Sequence, residues 1–224
     1  MIKVSNNWRK SHPGGAAGIL SMQIDRQQLD IAGLIRKKEA LENRLREKYR
    51  GIPRAEMRAI PIMDAYTQYY RRYKKTYHLL LQLDSICNKD KSIPNVDPLV
   101  IAMFMAELDT LLLTAGHDLD QISGQITLDS AAGDETYTLI NGETATCKPG
   151  DMVTADELGV FCSIIYGQDQ RTQITPGTDH VIYVVYVPPG IEPERIDKHL
   201  RDLESYVGIV FPQAQITYRE LFFA

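Results

Sequence analysis

The spacing of the apolar residues changes near residue 122, and that change limits the folds open to this chain. Before it, apolar residues recur mostly at helical spacing; from there to about residue 187 they come in short alternating runs between turns. "QITLDSA", "ETYTLING", "DMVTAD", "VFCSIIYG" and "HVIYVVYV" each have the length and β-branched or aromatic content of a strand. Asn141-Gly142 marks a hairpin turn. A pure helical bundle and a pure β sandwich are both excluded. The pattern predicts an α+β fold with a helical N-terminal half and a β-rich C-terminal half. The 224 residues can bury a substantial core, so 1–224 is expected to form a single domain.

Within the first half, "MIKVSNNWRK" reads as a short strand and "GILSMQI" as a second. Gly14-Gly15 precede no G-x-x-x-x-G-K-S/T pattern, so they mark a plain turn. Leu29 to Arg50 is the clearest helix, with Leu34, Leu41 and Leu45 on one face and Gly51-Ile52-Pro53 as its stop. Its cations Arg36, Lys37, Lys38, Arg44, Arg46 and Lys48 can pair with Glu39, Glu42 and Glu47 on a solvated face. "LVIAMFMAELDTLLLTAG" is apolar nearly all round and predicts a buried helix over 99–115 that stops at Gly116. Pro193 opens a last helix through Ile196, Leu200, Leu203 and Val207, and "AQITYRELFF" closes the chain as a strand.

Charge is unevenly placed. Residues 1–100 hold 19 Lys/Arg and 10 Asp/Glu, a net of +9; residues 101–224 hold 6 and 19, a net of −13. A basic half points to a polyanion partner; two oppositely charged surfaces that attract each other would give the same numbers. The stretch "AYTQYYRRYKKTYHLLLQL", 65–83, is read as one helix. Tyr66, Tyr69, Tyr70, Tyr73 and Tyr77 form an inward stripe, and Arg71, Arg72, Lys74, Lys75 and His78 lie beside it. Cations beside aromatic rings suit RNA binding, because cations neutralise phosphates and rings stack on bases. The alternative is a helix with core tyrosines and solvated cations.

Other chemistries find little support. Cys87, Cys147 and Cys162 are scattered and odd in number, which argues against a disulfide framework or a zinc motif and for a reducing, cytoplasmic setting. No run is apolar for long enough to span a membrane or serve as a signal peptide. No His/Asp/Glu group has metal-ligand spacing, and no cofactor is expected. Ser163 lacks a G-x-S-x-G context, and Cys147 and Cys162 have no evident His partner. His180 and His199 are expected at the surface. The one tempting cluster is "GHDLDQI", where His117 stands beside Asp118 and Asp120. It reads either as an imidazole with a carboxylate to fix its tautomer, or as a helix end capped by His117 with turn-binding aspartates.

Several segments fall in a known order. Tyr137 to Gly142 ("YTLING"), Asp151 to Asp156 ("DMVTAD"), Ile165 to Gln168 ("IYGQ") and Thr172 to Thr175 ("TQIT") follow "SIPNVDPLV" and "GHDLDQI". This series resembles the B3/B4 module of the phenylalanyl-tRNA synthetase β subunit over about residues 92–187. Residues 1–91 then form a basic helical region and 188–224 a helix–strand cap. The resemblance implies a three-layer α+β fold, a role in tRNA binding, and a pocket in which a misformed aminoacyl-tRNA is hydrolysed. With no ATP-binding signature, a complete synthetase is not expected.

By the same resemblance His117 falls on the pocket histidine and Gly167 on a glycine whose backbone lines the pocket. Gly116, Ile164, Tyr166 and Gln168 complete the expected walls. Two family glycines are Ile164 and Gln168 here, which reshapes those walls. The family's acid that selects a phenol falls at Val184, and loss of a buried polar partner removes that selectivity. The expected chemistry is ester hydrolysis, with His117 positioning water or ribose and backbone amides near Gly167 serving the oxyanion. A tRNA-binding module without chemistry, and a small-molecule or protein-interaction domain on the same fold, remain the alternatives.

Overall fold

A computed structural model describes residues 2–224. The first half runs β1 (Ile2–Val4), α1 (Asn6–Ser11), β2 (Ala16–Gln23), α2 (Ile31–Tyr49), α3 (Arg54–Arg58), α4 (Pro61–Arg71), α5 (His78–Asn88) and α6 (Pro98–Thr110). The second runs β3 (Leu113–Asp118), β4 (Ile126–Ser130), the hairpin β5 (Thr136–Thr138) and β6 (Thr144–Thr146), then β7 (Met152–Asp156), β8 (Gly159–Ser163) and β9 (Gly167–Gln168). Strand β10 (His180–Val187), helix α7 (Pro193–Val210) and strand β11 (Gln215–Phe223) complete it. The fold is α+β. No described helix is long and apolar enough to cross a membrane.

Two sheets and a helical layer stack on one another. One sheet has the order β1-β4-β7-β8-β9, the other β11-β2-β10-β3. Strand β10 is apolar on both faces and buried along Val181–Val187, as a strand covered from two sides must be. On one face, Gly18 of β2 lets Ile196 and Leu200 of α7 approach, and Thr114 of β3 bonds His199 of the same helix. On the other face the Tyr186 hydroxyl meets Thr154 Oγ1 of β7 at 2.6 Å. The two halves of the chain interleave, because β1 pairs with β4 and β2 lies between β10 and β11.

The chain departs from the sequence-based expectations in four places. "NNWRKS" leaves the first strand and forms α1, capped by the Ser5 side chain. Residues 65–83 are two helices, α4 and α5, with a turn at 72–77 in which Lys74 adopts φ 57°. In one helix Tyr66 and Tyr77 would lie roughly 16 Å apart along the axis. The turn instead stacks them at 4.4 Å and 9° between planes, a gain no local propensity reveals. Helix α6 ends at Leu111 (φ 67°), and "LTAGHD" is strand β3 rather than the end of a helix over 99–115. Side chains take the amides that would have continued it, one from α4 and one from α6 itself. Tyr66 Oη accepts the Leu113 N–H at 3.0 Å, and Glu107 Oε1 accepts the Thr114 N–H at 2.7 Å.

The fourth departure concerns buried polar groups. His199 is fully buried, not at the surface, since it follows Ile196 by three positions and precedes Leu203 by four. Thr110 Oγ1 donates to Ala106 O and so accepts from His199 Nδ1 at 2.6 Å; Nε2 then accepts from Thr114 Oγ1 at 2.7 Å. Lys38 leaves the solvated face of α2 and bonds Ile93 O and Asn95 Oδ1.

Candidate functional site

A cavity of about 690 Å³ opens beside β3, the edge strand of the four-stranded sheet. That volume suits a small organic group. One wall comes from α6 (Val100, Met103, Phe104, Glu107), one from Leu113 to Ala115 of β3, and the third from the Ser163–Gln168 turn. Leu139 to Asn141 and His78 reach its rim.

The turn is held from beneath. Asp151 is buried; its Oδ2 accepts from Ser163 Oγ and its Oδ1 from the Tyr69 hydroxyl at 2.6 Å. Ser163 Oγ in turn accepts from the Tyr166 N–H at 3.2 Å. Tyr70 donates to Ile164 O at 2.6 Å and Tyr137 to Gly167 O at 2.7 Å. Gly167 adopts φ 87°, a conformation glycine takes without strain. Burial pushes the Asp151 carboxyl up to about 6 against these bonds. The tyrosines expected as a core stripe therefore also shape the cavity wall.

Of the residues the sequence nominated, Ile164, Tyr166, Gly167 and Gln168 line this cavity; Gly116, His117, Asp118, Asp120 and Val184 do not. Val184 lies opposite Ala115 in the sheet, fully buried on the face that meets the second sheet. Gly116 serves close packing: a Cβ there would meet Ile174 Cδ1 at 2.9 Å and Tyr183 Cε1 at 3.0 Å. His117 lies on the same face as Val184, fully buried, edge-on to Phe161 with ring centroids 4.9 Å apart. Its Nδ1 meets Thr172 Oγ1 at 2.7 Å. Thr172 donates its only hydroxyl proton to Asp169, so it accepts from an Nδ1–H imidazole, and Nε2 is left without a partner. Burial, reinforced by the Arg171 charge, lowers the imidazole to about 3 and keeps it neutral.

Neither aspartate of "GHDLDQI" orients that ring. Asp118 Oδ2 accepts from Thr178 Oγ1 at 2.7 Å, and Asp120 Oδ1 lies 2.9 Å from His180 Nδ1. The orienting pair, Thr172 and Asp169, lies more than 50 residues downstream; "TQIT" was the only signal of it.

The cations divide by environment. On α2, Arg44 pairs with Asp109 at 2.7 Å and Arg46 with Glu42 at 3.4 Å, so part of that basic face is consumed internally. Arg71, Arg72, Lys74 and Lys75 are exposed. None has an acidic partner within ion-pair distance among the described residues. Arg72 lies 4.2 Å from the centroid of the Tyr69 ring, and Lys75 Nζ lies 4.8 Å from that of Tyr166, on the cavity wall. Among the described residues no cluster of His, Cys, Asp and Glu could hold a metal ion. All three cysteines are buried thiols.

Comparison with known proteins follows the same region. Phenylalanine–tRNA ligase β subunits of Mycoplasma genitalium and Mycoplasma pneumoniae are each 32% identical over 69 residues, 31% of this chain but only 9% of theirs. An N-terminal fragment of the phenylalanyl-tRNA synthetase β subunit from Pyrococcus horikoshii aligns with 99% of this chain and 53% of its own, at 12% identity and a TM-score of 0.49. The family model of the B3/4 domain matches residues 64–205, from within α4 through the basic turn and every wall of the cavity. The chain belongs to the B3/4 domain family.

Proposed function

We propose that this chain binds the acceptor end of a tRNA, with the phosphates on the basic turn at 71–75 and the terminal group at or in the cavity. The observation that carries this reading is the contact of Lys75 with Tyr166: the unpaired cations and the cavity share a rim. His78 also reaches that rim. Phosphate neutralisation needs exposed cations that no carboxylate already neutralises, and Arg71, Arg72, Lys74 and Lys75 meet that need. A role at the aminoacyl end accords with family membership and with the tRNA ligases to which the chain is similar. A cytoplasmic setting is part of the same proposal.

Binding is the part of the reading that the geometry favours. His117, Asp118 and Asp120 do not converge on the cavity, and the Tyr166 amide is directed at Ser163 Oγ instead of an open oxyanion site. The test is filter binding of purified protein to uncharged and aminoacylated tRNA across a salt series. The affinity is expected to fall steeply as salt rises, on the order of tenfold or more between 50 and 200 mM. Salt-independent binding, or none at low salt, would overturn the proposal. Release of free amino acid in the same mixtures would add ester hydrolysis to binding.

A further inference from the structure

The Glu107 carboxyl has no role in the reading above, yet it lies on the cavity wall and only half of it is used. It is 1% exposed. Oε1 accepts the Thr114 N–H at 2.7 Å, and Thr114 lines the cavity beside it; Oε2 has no partner. A buried polar atom without a partner carries a desolvation cost, and a ligand that supplies the partner recovers it. The walls around it are apolar: Val100, Met103, Phe104, Leu113 and Ile164.

We propose that Glu107 is the polar recognition group of this cavity, donating a hydrogen bond from Oε2 to a carbonyl oxygen on an uncharged, apolar ligand. Oε1 is already committed as an acceptor, so the proton belongs on Oε2. The terminal torsion of a glutamate is soft, so a small rotation turns Oε2 toward a bound group. Burial pushes this carboxyl up to about 8, which keeps it protonated, and so a donor, at neutral pH. Anionic ligands are disfavoured, since Asp97 also lies on the wall and an ionised Glu107 would repel them. The inference deepens the reading of the cavity as the seat of an RNA-borne group. Its test uses free small molecules, so a failure of tRNA binding leaves it intact.

The charged and titratable groups that face Glu107 come from every neighbouring element. The phenols of Tyr66 and Tyr70 on α4 and Tyr77 before α5 feel its charge directly, His78 on α5, Asp97 ahead of α6, Cys162 on β8 and Tyr186 on β10 line the same cavity, and His199 on α7 lies behind Thr114. Burial raises the phenols and holds the thiol up near about 12, and it lowers both imidazoles. These phenols, the thiol and the imidazoles keep their charge between pH 7 and 9, whereas Glu107 does not.

The experiment is an amide NMR titration of the protein with acetophenone, its hydrocarbon isostere α-methylstyrene, and benzoate. Acetophenone is expected to shift the Thr114 and Ile164–Gln168 amides and to bind roughly tenfold tighter than either comparator, the yield of about one hydrogen bond to a buried group. That preference should vanish in Glu107→Met. It should persist in Glu107→Gln, which keeps both the acceptor for Thr114 and a donor. In the parent protein it should fade as pH rises through about 8, and in Glu107→Gln it should not. Equal affinity for ketone and hydrocarbon, an unchanged preference in Glu107→Met, or no shift with any probe would overturn the proposal.

Discussion

His117 Nδ1 stands 2.7 Å from Thr172 Oγ1, and Thr172 donates onward to Asp169. A strand and a loop 55 residues apart are joined by this relay, which sets the tautomer of a fully buried imidazole. Thr172→Val leaves the Nδ1–H without an acceptor. Urea unfolding of that variant is expected to show a loss of about 1–3 kcal/mol, with Thr172→Ser recovering most of it. The Nδ1–H resonance of His117 should be lost or moved in Thr172→Val and kept in Thr172→Ser; an unchanged signal in the valine variant would break the relay.

Reversing the basic turn tests the RNA reading. Arg71→Glu, Arg72→Glu, Lys74→Glu and Lys75→Glu together should lower tRNA affinity at least tenfold and flatten the dependence of log Kd on log salt. Each lost phosphate contact removes about 0.7 of slope for a single strand. All four side chains are exposed, so the melting temperature should stay nearly constant. Undiminished binding would place the RNA elsewhere.

The stack of Tyr66 on Tyr77 should dominate the stability of the helical region. Tyr77→Ala removes a fully buried ring from the 4.4 Å stack and is expected to cost about 3–5 kcal/mol. Tyr66→Phe is gentler in volume but strips the acceptor from the Leu113 N–H and the donor from Tyr186 O, so a loss of about 1–3 kcal/mol is expected. Calorimetry of the two variants separates packing from hydrogen bonding.

Stability should peak near neutral pH. Burial lowers His12 to about 4, and His117 and His199 to about 3, so their neutral forms stabilise the fold. That contribution is complete above the unfolded value of 6.5 and is lost as pH falls toward the folded values, by up to about 1.4 kcal/mol per pH unit for each ring. Glu107 runs the other way: its folded value, raised to about 8, means stability declines as pH rises from 4.5 to 8. Glu107→Gln should therefore unfold at a more nearly constant urea midpoint between pH 6.5 and 8 than the parent protein does.

Val184 is the position where a carboxylate would test the cavity's true extent. It is fully buried between the sheets and does not line the cavity. Val184→Glu is expected to cost several kcal/mol by burying an unpaired acid, and to confer no ligand selectivity. A stable variant that gains affinity for phenols would contradict that placement.

The elements with strong local periods were legible: the Leu29–Arg50 helix, the Pro193 helix, β10 and the Asn141-Gly142 hairpin stand where their patterns put them, within a residue or two at the ends. The Ile164–Gln168 turn was also legible, through the ordered segments of the resemblance. Less legible were the end of α6 and the break after α4. In both, local propensity favours a continued helix, and side-chain contacts outweigh it: Tyr66 from α4 and Glu107 from α6 itself capture amides after α6, and Tyr77 stacks back on Tyr66. Proximity in sequence misled at His117 for the same reason, since in a strand Asp118 points to the opposite face.

The sequence by itself determined the strongly periodic helices and strands, the clustering of cations in 71–75, and membership of a family through ordered short segments. Those are properties of spacing and composition, and they survive without knowledge of neighbours. Only the tertiary structure decided that His117 is sealed between two sheets, that Thr172 orients it, and that Glu107 rather than Val184 brings an acid to the cavity. Burial and hydrogen-bond partners are set by residues tens of positions away, and they alone fix whether a polar side chain is charged, satisfied or free to meet a ligand.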